Sequence, residues 1–309
     1  MITEETYIKP TSIAEALENA KSSESFKYIA GGTDLMVNLY QGNEDSVMLI
    51  DLSQISSMKK VEVSGDYLKI GALVRLCDLS KHAGIKSEFP ALIEAADSVG
   101  SPLIRKAATI GGNILCENRC LYYNQSEWWR ESIGKCLKCE GDVCIATGGK
   151  KSCYSELVSD TCPALIAMGA MIEIQDEQGS RQITLEELYS GDGVRPRNLS
   201  KHALVTSILL PLHKEYTVVF KKLRQRKSLE FTSLTTAASK DRDGNLIIAL
   251  SGVDPGPVVI RAKVGEDKEI LISQALRKSR AIDNDMLTRT YRRQMISAFL
   301  NTSFSELKI

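Results

Sequence analysis

The chain has 309 residues, 43% hydrophobic and 25% charged, enough for two or three domains of ordinary globular composition. Its 39 Lys and Arg balance its 39 Asp and Glu, which argues against the basic excess of a dedicated nucleic-acid binder. No stretch approaches the ~18 consecutive apolar residues of a membrane span, and the polar opening MITEETYIKP has no apolar signal core. The expected protein is therefore cytoplasmic, with reduced thiols and with neither nucleic acid nor membrane as partner.

In chain order, Ser12-Ile13-Ala14-Glu15 is a capping box, and Ile13, Ala16, Leu17 and Ala20 form a helical stripe behind it. The apolar run from Phe26 to Ala30 predicts a buried strand, Thr33 to Tyr40 a helix, and Val47 to Ile50 a second strand. This β–loop–helix–β unit sets a glycine pair, within Ile29-Ala30-Gly31-Gly32-Thr33-Asp34-Leu35, at the carboxyl end of its first strand. Open α/β sheets bind ligands at such ends. Val61 to Val63 and Tyr67 to Ala72 predict a hairpin around Ser64-Gly65-Asp66, with helices near 75–83 and 88–99 behind it. A second glycine pair, in Thr109-Ile110-Gly111-Gly112-Asn113, predicts a turn-rich crossing.

Further on, Pro163 to Gly169 reads as a short apolar helix, Met171 to Gln175 as a strand, Thr184-Leu185-Glu186-Glu187 as a capping box and Leu204 to Leu210 as a strand. From about 216 the pattern changes. Strands at Tyr216 to Phe220, Thr232 to Ala238 and Leu246 to Ser251 precede helices near 267–278 and 284–300, the order of a separate α+β domain. The expected units are 1–56, 57–213 and 214–309, with an insertion at 117–157.

That insertion follows neither helical nor strand periodicity. Six of the eight cysteines lie between Cys116 and Cys153, and a long irregular loop needs something to order it. Three readings are open. Zinc would use Cys136-x-x-Cys139, but no second pair follows at ribbon spacing. Disulfides are disfavoured by the compartment. An iron–sulfur cluster needs four thiolates and a shielding shell, for which Tyr122, Tyr123, Trp128 and Trp129 are at hand. The insertion is expected to be a separate loop, so that losing its metal would leave the rest of the chain intact.

The glycine pairs carry other chemistry. Paired glycines beside Thr, Asn and Asp let backbone amides approach a phosphate. Either pair alone is compatible with a tight turn; together they suggest two loops converging on one diphosphate. The pattern is neither G-x-G-x-x-G nor a P-loop. Asp160 reads as an N-cap or as a carboxylate on a cofactor hydroxyl. The basic run Lys221, Lys222, Arg224, Arg226 and Lys227 is a solvated face, or brings one cation near a flavin.

Taken together, AGGTDL at 30–35, TIGGN at 109–113, Ser159-Asp160 before Pro163-Ala164-Leu165, and Phe220-Lys221-Lys222 with Arg226, Glu230 and Phe231 resemble the FAD-binding subunits of the molybdenum hydroxylases. Glu230 departs from the Asp more usual there. The resemblance implies an α+β fold: an FAD-binding module of two α/β subdomains, then a C-terminal α+β domain of the carbon monoxide dehydrogenase flavoprotein type. It implies FAD held by residues 29–35, by Thr109, Ile110, Gly111, Gly112 and Asn113, and by Asp160 and Lys222, with no catalytic residue on this chain.

The insertion, with Arg119-Cys120-Leu121-Tyr122-Tyr123-Asn124-Gln125-Ser126 and Trp129-Arg130, resembles that of the 4-hydroxybenzoyl-CoA reductases within this family. That implies a 4Fe–4S cluster on Cys120, Cys136, Cys144 and Cys153, with Cys116 and Cys139 spare. It further implies a relay: ferredoxin to cluster to FAD, then to a small 2Fe–2S subunit and a large molybdenum-cofactor subunit, in a dimer of heterotrimers reducing 4-hydroxybenzoyl-CoA to benzoyl-CoA. The alternatives are an FAD subunit of a molybdenum hydroxylase or dehydrogenase with another substrate, the insertion serving as an auxiliary port, or a zinc-stabilised assembly protein.

Overall fold

A computed structural model describes residues 7–44, 48–212 and 214–309. Three sheets follow one another along the chain. The first is parallel and three-stranded, with Met48–Asp51 between Tyr7–Ile8 and Phe26–Ile29. Val47, expected to open the Met48–Asp51 strand, lies outside the described residues. Helix Ile13–Lys21 covers this sheet through Ala16 and Ala20, and the Ser12 hydroxyl caps it by accepting from the Glu15 N–H. Glu15 reaches back to the N–H of Thr11, one residue beyond the expected box.

The second sheet has five strands, ordered Val61–Ser64, Tyr67–Gly71, Leu204–Pro211, Met171–Asp176, Gly179–Thr184, all antiparallel. The largest core lies against it, built from Leu68, Ile70, Leu92, Ile110, Leu165 and Ile208 among others. The region expected as two helices holds three: Leu76–Leu79, Ala83–Glu88 and Pro90–Asp97. Pro90 begins the last, where its missing N–H costs nothing.

The third sheet is an antiparallel meander of Thr217–Leu223, Leu234–Lys240, Asn245–Ser251 and Val258–Lys263, the last unforeseen in sequence. Its alternating residues serve two cores. Leu234, Ile248 and Leu250 face helices Lys268–Lys278 and Arg289–Glu306. Phe220, Ala237 and Ala249 face the other way, toward the large core. There the wholly buried helix Thr161–Ala167 packs between the two units. Small residues permit that approach, and Ser239 Oγ donates to the Ala167 carbonyl at 2.6 Å.

Two expectations are corrected. Thr109 to Asn113 is not a turn. Thr109 caps a short helix, Ile110–Ile114, whose Gly111 lies where a Cβ would come within 2.7 Å of Ala72. The glycine is there to let the helix approach the chain just past the end of strand Tyr67–Gly71. The insertion is not without regular structure: Ser126 caps a helix, Glu127–Ile133.

Candidate functional site

A cavity of about 400 Å³ opens where the first two units meet, within the range of small-molecule sites. Twelve of the fourteen residues expected to hold a cofactor line it: Ile29, Ala30, Gly31, Gly32, Thr33, Asp34, Leu35, Thr109, Gly111, Gly112, Asn113 and Asp160. Ile110 and Lys222 do not. Ile110 is fully buried in the large core. Sequence spacing does not tell inward from outward on so short a helix.

The first glycine loop is a cradle of unpaired amides. The backbone N–H groups of Gly31, Gly32, Thr33, Asp34 and Leu35 make no hydrogen bond to another described residue. Gly32 holds φ +68°, a left-handed conformation that turns this run of amides. A Cβ on Gly31 would fall 2.0 Å from the Ala107 carbonyl oxygen, so the loop rests directly on backbone leading to the second motif. Consecutive unpaired amides form a concavity for an anion.

The second motif differs from expectation. Its amides are already spent: Ile110 on Val74 O, Gly111 on Ala72 O (both 2.9 Å), Gly112 on Thr109 Oγ1 (3.1 Å) and Asn113 on Thr109 O. It contributes bare surface at Gly112 rather than donors. Asn113 Oδ1 accepts from Ser159 Oγ, Thr161 N and Thr161 Oγ1, tying this helix to the 159–161 segment.

Asp160 is buried, and its carboxylate accepts from Lys222 Nζ (2.7 Å) and Thr235 Oγ1 (3.2 Å). Burial pushes the Asp160 carboxyl up and the Lys222 ammonium down, each partner's charge opposing that push. Lys222 also donates to Ser98 O and Glu230 O. All three of its donors are used, so it fastens three cavity walls instead of reaching into the space. Three of the other four basic residues are likewise engaged, Lys221 with Glu306, Arg224 with Ser98 O and Arg226 with Glu230, while Lys227 is exposed. Burial also raises the Asp34 carboxyl, against the N–H of Glu117 and the charge of Arg119.

The remaining walls are apolar. Leu52, Met58, Leu73, Leu204 and Val205 line the interior, and Leu229 and Phe231 stand half-exposed at the mouth. Sequence reading missed most of these because cavity-lining and core-forming aliphatics share one pattern. Arg119 stacks on Phe231, 4.0 Å from the ring centre.

A second, much smaller cavity lies inside the insertion, about 10 Å³ in extent. Cys120, Cys136, Cys144 and Cys153 all line it, with Tyr122, Tyr123, Leu137, Ile145, Tyr154 and Ile282. Cys139 stands outside, its backbone N–H donating to Cys136 O at 2.8 Å. Cys116 lines the large cavity instead. The shielding shell is partly as expected: the tyrosines are there, but Trp128 is 75% exposed and neither tryptophan lines the space. Burial raises the Cys120 thiol to about 11 and pushes Cys153 up as well. The neighbouring Cys139 thiol instead holds Cys136 down, to about 6. Cys120 and Cys153 stay protonated without a positive centre, so taking up metal there releases their protons.

Among the described residues, no three His, Cys, Asp or Glu stand close enough together to grip a single metal ion. At ~2.3 Å from one zinc, tetrahedral thiolates would lie roughly 3.8 Å apart. The donor set, four thiols with neither carboxylate nor imidazole, is one that zinc and iron–sulfur clusters both accept.

The insertion is bolted to both neighbours rather than hanging free. Buried Arg130 donates to Gln41 O, Gly42 O and Asn43 Oδ1 of the first unit. Leu121 N donates to Asn284 O, and Asn284 Nδ2 to Tyr154 O, in the third.

Cavity, cradle and three-sheet architecture define a flavin-binding redox module. The profile of the FAD-binding domain of molybdopterin dehydrogenases matches residues 3–213. The chain belongs to that family, which makes FAD its cofactor and oxidoreduction its class of chemistry. It is 32% identical over 267 residues to the aldehyde oxidoreductase FAD-binding subunit PaoB of Escherichia coli (strain K12), covering 83% of this chain and 84% of that one. It is 23% identical to the glyceraldehyde dehydrogenase medium chain of Sulfolobus acidocaldarius, over 98% of each. Its fold matches a chain of a Cu,Mo-CO dehydrogenase in cyanide-inactivated form, with TM-score 0.77, 19% identity and coverage of 97% and 96%. Among the described residues, no helix is long and apolar enough to cross a membrane.

Proposed function

We propose that this chain is the FAD-carrying electron-transfer subunit of a molybdenum hydroxylase or dehydrogenase, joined by a large molybdenum-cofactor subunit and a small 2Fe–2S subunit. The observation that carries this reading is the run of unpaired amides from Gly31 to Leu35 on the floor of the large cavity. That run suits a diphosphate, the apolar interior suits an isoalloxazine ring, and Asp160, oriented by Lys222, would accept from a cofactor hydroxyl. FAD supplies exchange of one or two electrons when bound. The chain's own part is to bind, orient and exclude water. We read 1–56, 57–213 and 214–309 as its three units, each with its own sheet.

The relatives support an oxidising role more than reduction of 4-hydroxybenzoyl-CoA, since their names are aldehyde oxidoreductase, nicotinate dehydrogenase and glyceraldehyde dehydrogenase. In that setting the insertion is an auxiliary electron port. Its four cavity-lining cysteines, Cys120, Cys136, Cys144 and Cys153, would hold a 4Fe–4S cluster. Anaerobic purification with flavin, iron and acid-labile sulfide analysis tests the assignment. About one FAD and four irons per chain are expected. One zinc and no flavin would establish the assembly-protein alternative. Turnover of an aromatic CoA thioester with reduced ferredoxin, and none with aldehydes or N-heterocycles, would restore the reductive reading.

A further inference from the structure

The two cavities share a wall. Cys116 and Glu117 line the large cavity, buried Asn118 holds Ser155 O and Pro255 O, and Cys120 lines the cysteine cavity. One ion pair spans the wall: the Lys138 ammonium donates to Glu117 Oε1. The Lys138 side chain is only 4% exposed. Its ammonium also donates to Gly193 O at 2.6 Å, and a Cβ on Gly193 would lie 2.7 Å from Cys153 Sγ. It stands 5.1 Å from the centre of the Tyr123 ring, part of the cysteine cavity's lining. Glu117 belongs to the large cavity, where its N–H donates to Asp34 Oδ2 at 2.8 Å.

Other charges near this wall balance on one side of it. Asp34 faces Arg119 at 3.6 Å, and Lys27 pairs with Glu44 on the large cavity's rim. Asp160 is held by Lys222. Arg197 is spent on Cys116 O, Asn118 Oδ1 and the Tyr189 ring. Among these, the Lys138–Glu117 pair alone sets its cation on the cysteine cavity and its anion on the large one. Lys138 is buried and the Glu117 side chain 27% exposed, so the surroundings of the pair screen its charges less than bulk water does.

We propose that Lys138 and Glu117 form a directional element that lowers the energy of an electron on the cysteine side relative to the flavin side. The pair thereby favours outward transfer, in which reduced FAD loses one electron and the oxidised cluster gains it, with no bond made or broken. A soluble one-electron carrier protein then takes the electron from the cluster. This inference rests on the cysteine cavity holding an iron–sulfur cluster.

The test uses the full chain, purified anaerobically, as wild type, Lys138→Met, Glu117→Gln and Lys138→Arg. Iron, sulfide and FAD contents are measured first. Potentiometric titration then follows the cluster by EPR and the flavin by absorbance. Lys138→Met should lower the cluster's potential more than the flavin's. Glu117→Gln should raise the flavin's more than the cluster's. The individual potentials thus move in opposite directions, while the cluster-minus-flavin gap narrows in both. A tenfold change in the equilibrium between the centres, 59 mV for a one-electron couple, is the expected scale. Lys138→Arg should keep the gap. An unchanged gap in a variant that retains iron and FAD overturns this inference alone. Wild-type protein with FAD but without iron overturns the cluster reading and the inference with it. If Lys138→Met loses its cofactors, Glu117→Gln decides.

Discussion

Replacing Gly31 by alanine adds one carbon where the structure has no room. The new Cβ would fall 2.0 Å from the Ala107 carbonyl oxygen and 2.5 Å from its carbon. Both are backbone atoms, so no rotamer change relieves the clash, and the two loops must part by more than an ångström. Overpacking of this kind costs typically 1–3 kcal/mol. With backbone on both sides, about 3 kcal/mol is the apt figure. That corresponds to roughly 100-fold weaker FAD binding if the strain is borne by the binding-competent loop geometry. Two neighbours serve as internal standards. Gly32→Ala meets only the flexible Met36 and Ile29 side chains, at 3.2 and 3.3 Å, but must hold φ +68°, at about 1–2 kcal/mol. Gly112→Ala meets only the Thr109 hydroxyl at 3.0 Å. The expected order of FAD loss is Gly31, then Gly32, then Gly112. Flavin fluorescence titration of the apoprotein measures it, with far-UV circular dichroism checking that the fold persists. Gly31→Ala binding FAD within twofold of wild type would refute the argument that loop contact shapes the cradle.

Three further outcomes are expected. Lys222→Met leaves Asp160 buried without its cation, which typically destabilises by about 3–5 kcal/mol; denaturant unfolding should show it, and a loss under 1 kcal/mol would mean that the pair is not buried as described. Arg130→Met removes the anchor of the insertion to residues 41–43, so proteolysis within 117–157 should quicken at least about tenfold, the equivalent of one charge-assisted hydrogen bond of ~1.5 kcal/mol. Cys139→Ser and Cys116→Ser should keep their iron while Cys144→Ser loses it; equal iron loss in all three would contradict the four-cysteine assignment.

Much of the fold was legible because local signals agreed. The Ser12 cap, the apolar strand before Gly31 and the Asn245–Ser251 alternation each stand close to where the pattern puts them. The four candidate cysteines, with fifteen, seven and eight residues lying between them, do come to one cavity. Where local reading failed, a distant partner was responsible. Thr109 to Asn113 is helical because Gly111 must pack on Ala72. The basic run and the resemblance single out Lys222, and no local pattern shows that Ser98, Asp160 and Glu230 claim all its donors.

Residue type and short-range spacing determined, from sequence alone, that this chain would turn sharply at Gly31-Gly32, gather sulfur in one insertion and alternate its last strands. Only tertiary packing decided which amides stay unpaired, since that depends on what comes to lie opposite each N–H. The same holds for charge: Glu117 and Lys138 are 21 residues apart, and nothing in their local sequence pairs them. They face each other across two cavities because the insertion is clamped to both neighbouring units, and an electrostatic orientation of that kind exists only once the chain has closed.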